Sequence, residues 1–383
     1  MHIQRLQLHC FKCHVEADLA FSPHVNLFVG PNGVGKTNVL DAVHYLCHTK
    51  SFFQATDGPN ITHGEPGMLL RGAFEREGEL ELVSCGLQRG EKKVIRRNDK
   101  PVLRFADHVG RFPAVMMAPD DAALVHEGSE IRRKWMDSVI SQFDRDYLDA
   151  VMVYNRAMLQ RNMLLRQFGE QRFFDSDLLS IWDEKLIPAG ERIASIRKRF
   201  LADFASSFEA AYQAVSKGQE TPGWNHRTQL DPDVGSFAEL LRESLSEDRL
   251  ARRTTVGIHR DDLIWELDGH ALKRFGSQGQ QKSFLVALRL AQRKYIHART
   301  QVAPILLLDD IFDKLDASRV GALMESIAQP NFGQVFITDT DHHRVANLFK
   351  EKGIDIRIFL VQPSGMEMIA SKTDDFWKYT SVQ

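Results

Sequence analysis

Apolar residues alternate with polar ones near the start of the chain, as in a β-strand. This pattern covers IQRLQLHCF, residues 3–11, and an uninterrupted apolar run follows in VNLFVG, residues 25–30. After a glycine-rich loop, TNVLDAVHYLCHT places apolar residues at helical spacing, so we predict strand, turn, strand, loop and helix in that order. Three further apolar stretches, MLLRGAF, LELVSCGL and KKVIRR, are separated by charged turns and predict a small antiparallel sheet over residues 68–105.

The apolar period changes to that of a helix in the middle of the chain. Between residues 129 and 168 apolar residues recur every three or four positions. Four of them fall on one stripe: Ile131, Trp135, Val139 and Phe143. A second helical stretch runs from about residue 178 to residue 215, with Pro188 as a predicted kink. We therefore predict an antiparallel helical hairpin, followed by a loop and one short helix over residues 219–247.

Strands and helices alternate again in the last third of the chain. LIWELDGHALKRF predicts two short strands around Asp268 and Gly269, and SQGQQKSFLVALRLA opens a helix. ILLLDD, residues 305–310, and QVFITDT, residues 334–340, are short and mostly apolar before their acidic ends, which is typical of buried parallel strands. The order of these elements predicts an α/β protein with a helical insertion.

Composition limits what the chain binds. The 383 residues include 49 Lys and Arg against 51 Asp and Glu, so a uniformly basic coat for nucleic acid is excluded, although local basic stretches are allowed. No apolar run is long enough to span a bilayer, and the N-terminal residues lack the apolar core of a secretory signal. We expect a cytoplasmic protein with no membrane partner.

Four cysteines are too few and too scattered for a disulfide framework. Two of them lie in CFKCH, residues 10–14, which matches the haem-attachment pattern C-x-x-C-H. The match adjoins a predicted strand, no export signal precedes it, and no second ligand pair follows at the spacing of a zinc site. We therefore expect neither haem nor a structural zinc ion here.

The glycine-rich loop GPNGVGKT matches the phosphate-binding pattern G-x-x-x-x-G-K-[ST]. Its glycines allow backbone amides to close around phosphate oxygens, Lys36 neutralises the β- and γ-phosphates, and the Thr37 hydroxyl is a ligand for Mg²⁺. The alternative, an ordinary glycine-rich turn, does not account for the strand before the loop and the helix after it. The predicted ATP contacts are Gly30, Pro31, Asn32, Gly33, Val34, Gly35, Lys36, Thr37 and Asn38.

Two carboxylates end the buried strand ILLLDD. An acid at this position of a phosphate-loop protein holds Mg²⁺, so we assign Asp309 to the metal, directly or through water. Asp310 is then placed to orient or deprotonate the attacking water, and with Lys36 it is a predicted catalytic residue. Its side chain is shorter than the glutamate usual in this role, which predicts slow hydrolysis. The alternative for Asp310 is a cap on the following turn.

Ser277 opens a second candidate anion site, because SQGQQ lies just before an apolar helix. A serine and a flexible glycine at a helix N-terminus favour anion binding. A helix cap at Ser277 with a polar first turn is the alternative for the same residues.

The order of these motifs resembles that of ATP-binding-cassette (ABC) ATPases of the SMC-like branch. The chain contains, in this order, a phosphate loop, a helical insertion, S-x-G-Q at a helix start, an apolar strand with paired acids, and then Leu315 and Asp316. Within this branch the chain resembles the RecF family of bacterial DNA repair and replication proteins, from residue 1 to about residue 345. The motifs that carry the resemblance are FSPHVNLFVGPNGVGKTNVLDAVHYL, VMMAPDDAALVHEGSEIRRKWMD, YNRAMLQRNMLL, GIHRDDL, GSQGQQKSFLVALRLA and PILLLDDIFDKLD.

The resemblance implies a fold and a division into domains. We expect an ABC/SMC-like phosphate-loop ATPase head with a mixed β-sheet core, plus an inserted α-helical arm. The head would comprise residues 1–112 and 252–383, and the arm would comprise residues 113–251.

The resemblance also implies a mechanism in which two heads enclose two ATP molecules with Mg²⁺. Ser277, Gly279 and Gln280 of one subunit would meet the γ-phosphate held by Lys36 of the other. Asp316 would lie at the subunit boundary and couple the two sites. ATP binding would join the homodimer and slow hydrolysis would release it.

For function, the resemblance implies a weak DNA-stimulated ATPase of recombinational repair and replication restart. Such proteins bind duplex and gapped DNA and junctions of single and double strands, act with RecR and RecO, help to load recombinase at single-strand gaps and support the SOS response. Sequence-independent binding would rest on Lys and Arg against phosphates. The candidates are Lys92, Lys93, Arg96, Arg97, Arg132, Arg133, Lys134, Arg156, Arg161 and Arg166.

Three stretches depart from the patterns of related ATPases. The glutamine that senses Mg²⁺ in many of them has no clear counterpart, since the corresponding stretch is residues 118–121. The switch histidine of transporter ATPases is missing from ITDTD, although His342 and His343 follow. In GIHRDD, Ile258 stands where the family has proline, and Arg260 is either one partner of a buried ion pair or a contact to nucleotide or DNA.

Two rival functions stand against the repair ATPase. A structural, chromosome-organising SMC-like head would need a long coiled coil, and the helical insertion is too short for one. An energising subunit of a transporter would need the switch histidine. Nucleotide-dependent binding to gapped duplex DNA separates the repair ATPase from the transporter subunit.

Overall fold

A computed structural model describes most of the chain. It covers residues 1–171, 173–216, 220–231, 235–312, 317–329, 332–341, 349 and 356–370. The predicted nucleotide contact Asp316 and the two histidines at positions 342 and 343 lie outside these residues.

The strands are numbered in chain order and belong to three sheets. They are β1 (His2–Phe11), β2 (His14–Ala20), β3 (Val25–Val29), β4 (Gly67–Arg76), β5 (Glu79–Gln88), β6 (Val94–Arg97), β7 (Lys100–Pro101), β8 (Ala114–Met117), β9 (Pro222–Arg227), β10 (Asp262–Leu267), β11 (His270–Ala271), β12 (Ile305–Asp309), β13 (Val335–Asp339), β14 (Ile356–Gln362) and β15 (Gly365–Ala370).

The helices vary from single turns to a helix of 41 residues. They are α1 (Lys36–His48), α2 (Ala123–His126), α3 (Ser129–Ile140), α4 (Arg145–Gln171), α5 (Ser176–Ser216), α6 (Phe237–Glu243), α7 (Leu245–Ala251), α8 (Leu272–Phe275), α9 (Gln278–Thr300) and α10 (Ala317–Ile327). Within the described part of the chain, no helix has the length and apolar character needed to cross a membrane.

The chain divides into two compact units. The first, which we call the head, comprises Met1–Asp121, Ala214–Lys217 and Leu285–Gln383. The second, which we call the helical unit, comprises Ala122–Gln213 and Gly218–Phe284. The predicted arm ended at residue 251, whereas the helical unit continues beyond it because β10 pairs with β9 and packs its side chains among the helices.

A six-stranded sheet of the head carries the nucleotide-binding loop. Its strand order is β15-β14-β3-β13-β12-β8, and all neighbouring pairs are parallel except β14 with β15. The residues of β3, β12 and β13 are buried throughout, as expected for strands covered on both faces. The loops after β3, β12 and β13 therefore meet at one edge of this sheet, where the strands end.

The second sheet of the head is antiparallel, with strand order β2-β1-β4-β5-β6-β7. Its inward-facing side chains, among them Leu6, Phe74 and Val83, pack with α1 and with Phe28 and Phe336 of the parallel sheet in one apolar core. The predicted small antiparallel sheet is confirmed in β4, β5 and β6. The prediction did not include β2, whose short HVEADLA follows β1 after a tight turn.

The predicted long helix of the middle region is two helices. The chain leaves α3 after Ile140 and enters α4 at Arg145, and Asp144 Oδ1 accepts a 2.8 Å hydrogen bond from the Tyr147 backbone N–H. A side chain that caps the first N–H groups of a helix marks its start, which the apolar period alone does not register. The second predicted helix is confirmed as α5, which continues through Pro188.

The helical unit also contains a small sheet. The predicted strands around Asp268 and Gly269 are confirmed as β10 and β11, and β10 pairs further with β9, which lies in a stretch predicted as loop. Trp265 of β10 packs edge-on against Trp135 of α3, with ring centroids 5.3 Å apart. This aromatic contact ties the sheet into the core formed by the helices.

Candidate nucleotide-binding site

The GPNGVGKT loop connects β3 to α1 and leaves the start of that helix open. Gly35 is the residue before α1, no side chain caps the helix, and its first turn contains no acidic residue. The first N–H groups of a helix have no partners within it, and the helix dipole adds positive character there. The start of α1 thus fits a phosphate group.

Two glycines of the loop occupy positions that no other residue fits. Gly35 has φ 102°, and a Cβ atom there would lie 2.4 Å from Cys13 Sγ and 2.7 Å from the His14 ring. Gly30 has φ 150°, and its Cβ would lie 2.2 Å from the Val361 carbonyl oxygen. The glycines of the motif are therefore required by the fold as well as by the approach of phosphate.

The predicted catalytic lysine lies across its own loop. Lys36 Nζ donates to the carbonyl oxygens of Gly30 at 2.7 Å and Pro31 at 2.8 Å. Burial lowers the pKa of this ammonium group, and the charges of Asp310 and Asp309 oppose that shift. The loop thus holds the cation inside the predicted phosphate cradle.

The two predicted Mg²⁺ ligands touch each other. Thr37 Oγ1 donates a 2.7 Å hydrogen bond to Asp309 Oδ1, and Thr338 Oγ1 donates to the same oxygen at 2.8 Å. Burial raises the pKa of the Asp309 carboxyl, while these two hydrogen bonds and the charge of Lys36 act in the opposite direction. A hydroxyl and a carboxylate are the hard oxygen ligands that Mg²⁺ prefers, so the donor set fits this ion.

Asp310 has an unusual backbone conformation. Its φ is 48°, in the left-handed region that non-glycine residues rarely adopt, and its N–H donates to Thr338 Oγ1 at 2.9 Å. Such conformations cost free energy and concentrate at functional sites. The role of Asp310 in activating water stays a prediction.

Cys13 and His14 lie against the phosphate loop, which sequence reasoning missed. Asn38 Nδ2 donates to Cys13 Sγ at 3.1 Å, and His14 Nε2 lies 3.0 Å from the Gly35 carbonyl oxygen. Burial acts to lower the pKa of His14, but the hydrogen bond with Cys13 and the contact with Gly35 outweigh it, so that the pKa is raised. The CFKCH stretch is visible in the sequence, but its place at the loop depends on the turn between β1 and β2 and on the long-range pairing of β3.

The stretch around Asp121 has a structural partner. Arg289 Nε donates a 3.0 Å hydrogen bond to Asp121 Oδ2, and both side chains are buried. Asp120 is exposed, and its negative charge contributes to raising the pKa of Asp309. In this stretch Asp121 is thus held by Arg289, and Asp120 is the acid whose charge acts on the Asp309 carboxyl.

Ser277 caps α9. Its Oγ accepts a 3.2 Å hydrogen bond from the Gln280 N–H, and its own N–H donates to Gln280 Oε1 at 2.6 Å. Gln280 Nε2 also donates to Glu220 Oε1 at 2.6 Å, and Glu220 Oε2 accepts from the Tyr212 hydroxyl at 2.7 Å. The helix-cap interpretation is confirmed as the local geometry, and these contacts position Ser277 at the start of α9 with its side chain exposed.

The buried ion pair of the GIHRDD segment involves a different arginine from the one predicted. Arg197 Nη1 of α5 donates to Asp261 Oδ2 at 2.9 Å and to the Ile258 carbonyl oxygen at 3.1 Å. Arg260 is exposed. Of the two alternatives for Arg260, the buried ion pair is wrong, because a long helix supplies the buried guanidinium and the turn directs Arg260 outward.

Several predicted DNA-binding cations are engaged inside the protein. Arg161 is fully buried, where its Nη1 donates to Asp248 Oδ2 and its Nε donates to Asp183 Oδ1, each at 2.6 Å. Arg132 is buried against Asp262, with 2.8 Å between Nε and Oδ1. These two arginines are therefore structural, and helical spacing alone does not show that they face inward.

The fold and the site define a class of protein. Four features define an α/β ATPase head of the SMC type. They are a phosphate loop between a parallel strand and a helix, an acid at the end of a neighbouring strand, an antiparallel sheet and a helical insertion. The model for the RecF/RecN/SMC N terminal domain matches residues 2–357.

Individual relatives identify the family within this class. The chain is 43% identical over 360 residues to the DNA replication and repair protein RecF of Flavobacterium johnsoniae, covering 94% of this chain and 99% of that one. It is 41% identical over 364 residues to the protein of the same name from Phocaeicola vulgatus, covering 94% and 97%. The chain belongs to the RecF family of DNA replication and repair proteins, which are ATPases of the ABC type.

Solved structures agree with this assignment. The recombination mediator protein RecF-ATP in the RecFOR pathway superposes with a TM-score of 0.86 at 26% identity, covering 96% of this chain and 98% of that one. The Smc head domain of Pyrococcus furiosus, bound to the C-terminal domain of ScpA, has a TM-score of 0.56 at 14% identity over 100% of this chain and 99% of that one, and so shares the fold.

Proposed function

We propose that this protein binds DNA as an ATP-dependent homodimer in recombinational repair and replication restart. The single observation that carries the proposal is the phosphate cradle at the start of α1, with Thr37 already in contact with Asp309. The names of the relatives support its place in replication and repair, and a RecF solved with ATP supports the choice of nucleotide.

The residues of the site divide the work of a weak ATPase. When bound, Mg·ATP supplies the γ-phosphoryl bond that is hydrolysed and the cation that withdraws charge from it. Lys36 would leave the carbonyl oxygens of Gly30 and Pro31 and donate to the phosphate oxygens instead. Thr37 and Asp309 would hold the cation, and Asp310 would orient the attacking water.

The site is completed by a second copy of the chain. Ser277 and Gly279, with Gln280 behind them, present an exposed helix start to the γ-phosphate bound by the partner subunit. The capping contacts of Ser277 and the link from Gln280 to Glu220 support this role, because they fix the helix start before the partner arrives. Asp316 would lie at the boundary between the two subunits.

DNA binding rests on cations that remain exposed. Arg156 and Arg166 of α4 and Lys92 of the β5–β6 turn have exposed side chains, whereas Arg132 and Arg161 are removed from the set by burial. Exposed cations that meet phosphates bind duplex or gapped DNA without reading its sequence. Through this binding the protein would act with RecR and RecO, help to load recombinase at single-strand gaps and support the SOS response in the cytoplasm.

The alternative is a structural, chromosome-organising head. The two long helices α4 and α5 contain 27 and 41 residues, and both are buried in part among the other elements of the helical unit. A long coiled coil that embraces DNA needs many heptads on free helices. The lengths of α4 and α5 favour the repair ATPase.

Binding to a labelled gapped duplex tests the proposal. We expect tight binding with ATP and weaker binding with ADP or without nucleotide, with a loss of about tenfold in Lys36→Arg even when ATP is present, because Arg does not fit the compact Nζ position. Equal binding with ATP, with ADP and without nucleotide would contradict the proposal. Asp310→Asn should stay on DNA longer than the unchanged protein, and an unchanged hydrolysis rate would remove Asp310 from catalysis.

A further inference from the structure

The outer face of the antiparallel sheet carries a groove that the nucleotide site does not use. It has a volume of about 920 Å³ and is lined by side chains of β1, β4, β5 and β6 that point away from the core of the head. A solvent-facing side of an antiparallel sheet normally carries polar residues. Here the lining is a mixture of arginines and aliphatic side chains.

A row of polar residues crosses four strands of this face. Gln7 of β1 lies opposite Arg71 of β4, Arg71 lies opposite Ser84 of β5, and Ser84 lies opposite Arg96 of β6. Adjacent strands are about 4.8 Å apart, so the two arginines begin roughly 10 Å from each other. The pairing register therefore places two guanidinium groups along one line across the groove.

Aliphatic side chains flank this row. Leu80, Leu82 and Val94 remain 54%, 49% and 47% exposed, and each lines the groove. Leaving such side chains in water costs about 25 cal/mol for each Å² of apolar surface, and a patch of them rimmed by polar groups marks a surface that binds another molecule.

The charge of the groove favours an acidic occupant. Arg5 is paired with Asp18, but neither Arg71 nor Arg96 forms an ion pair with a carboxylate in the part of the chain that the structure describes. Asp99 lines the groove as well, and its backbone carbonyl oxygen accepts a 3.2 Å hydrogen bond from Arg96. The lining contains three arginines and one carboxylate, Asp99, so it keeps a positive excess even with Arg5 paired to the neighbouring Asp18.

We propose that this groove is a docking site for an extended segment of another protein that presents carboxylates and aliphatic side chains on the same face. Carboxylates two or four residues apart lie on one face of an extended segment and are separated by roughly 7 or 13 Å, which brackets the spacing of roughly 10 Å between Arg71 and Arg96. Leu80, Leu82 and Val94 flank the line between these arginines and contact the aliphatic side chains of the segment. A nucleic acid is the poorer match, because its phosphates would leave Leu80, Leu82 and Val94 without apolar contacts. Among the residues that the structure describes, no aromatic ring lines the groove to stack on a base either.

The residues that line this groove are separate from those proposed to bind nucleotide and DNA. Arg96, one of the cations predicted from sequence to meet DNA, belongs to this docking site instead. The proposed docking site can therefore be tested independently of the proposed homodimer.

Selection from a random dodecapeptide library on the full-length protein tests the docking site. We expect enriched sequences in which Asp or Glu and Leu, Ile or Val lie two residues apart, so that both kinds of side chain share one face of an extended peptide. Labelled synthetic copies of them should bind at least tenfold more weakly to the double variant Arg71→Glu/Arg96→Glu. Arg199→Glu, which reverses an exposed charge of the helical unit, should bind them as the unchanged protein does. ATP affinity of the double variant reports that the head is still folded.

Three outcomes would overturn the proposal. The library yields no sequence above background, or its enriched sequences bind the double variant as tightly as the unchanged protein. Alternatively, a labelled single strand or duplex loses at least tenfold in affinity for the double variant while no peptide is selected, which would make the face a nucleic-acid surface.

Discussion

Thr37 and Asp309 are 272 positions apart in the chain, and a 2.7 Å hydrogen bond joins the hydroxyl of one to Oδ1 of the other. The contact follows from the sheet, in which β13 lies between β3 and β12, so that the residues after β3 and at the end of β12 share one edge. Thr338 at the end of β13 donates to the same oxygen at 2.8 Å. The fold thus brings both predicted Mg²⁺ ligands together.

Removal of the Thr37 hydroxyl should weaken ATP binding only when Mg²⁺ is present. A hydrogen bond or ligand to a charged group is worth about 1.5–3 kcal/mol, so we expect Thr37→Ala to lose about tenfold or more in affinity for Mg·ATP by titration calorimetry. Thr338→Ala is the control, since it removes the other hydrogen bond to Asp309 without removing a ligand, and it should lose less than about threefold. Equal losses in the two variants would refute the role of Thr37.

Gly35 and Gly33 should differ sharply in their tolerance of alanine. Both have positive φ, 102° and 82°, but a Cβ at Gly35 would collide with Cys13 and His14. Among the described residues, no atom lies within 4 Å of a Cβ at Gly33. Gly33→Ala should therefore cost only the left-handed backbone penalty of about 1–2 kcal/mol. Gly35→Ala should cost more, in both ATP affinity and thermal unfolding. Equal losses of ATP affinity and thermal stability in the two variants would contradict the contact of Cys13 and His14 with the loop.

Stability of the head should fall as the pH decreases below about 6.5. Burial in α1 lowers the pKa of His44 to about 3, and the charges of Lys50, Arg289 and Lys12 act in the same direction. The folded state therefore keeps His44 neutral while the unfolded chain takes up a proton. The contribution is complete above the ordinary pKa of 6.5 and is lost as the pH falls toward 3, at about 1.4 kcal/mol for each pH unit.

Denaturant unfolding at several pH values between 7.5 and 5 measures this effect. In the unchanged protein, His44 Nδ1 lies 3.1 Å from the Lys50 carbonyl oxygen. His44→Asn keeps a donor for this oxygen and should reduce the pH dependence of the free energy of unfolding. His63→Asn replaces an exposed histidine and should leave the dependence as it is. A slope that is the same in all three proteins would show that His44 is not buried as described.

Asp248 should be far more important for stability than an exposed acid in a similar pair. Asp248→Asn removes the charge of one of the two carboxylates that contact the fully buried Arg161 at 2.6 Å. Because Asp183 remains, we expect a cost of about 1.5–3 kcal/mol, less than that of breaking a buried pair completely. Glu130→Gln breaks the exposed pair with Lys134 and should cost about 0.5 kcal/mol or less. Thermal unfolding compares them, and a small effect of Asp248→Asn would restore Arg161 as a candidate for DNA.

The sequence predicts where the phosphate loop and the acid at the strand end lie in the fold, because these residues are consecutive or end neighbouring strands. Their roles in binding and hydrolysis stay predictions. Residues 30–37 and Asp309 fall where a phosphate loop and an apolar parallel strand must put them. Cys13 and His14 were not predicted at the loop, since their position depends on the turn between β1 and β2 and on the long-range pairing of β3. Long-range register of this kind is not encoded in local periodicity.

The helical unit was harder to predict for a similar reason. An apolar stripe shows which residues face a core, but it does not show whether a polar residue between them is exposed or buried with a partner. Arg161 and Arg197 lie on amphipathic helices, and their carboxylate partners Asp248 and Asp261 come from segments more than sixty positions away in the chain. Only the tertiary fold identifies these pairs.

Sedimentation velocity with ATP tests the central claim most directly, because the claim is that Ser277 of one copy completes the site of another. The unchanged protein should sediment as a dimer with ATP and as a monomer without it. Ser277→Arg should still bind ATP through residues 30–37 but remain monomeric. A Ser277→Arg protein that forms dimers with ATP as the unchanged protein does would contradict the account.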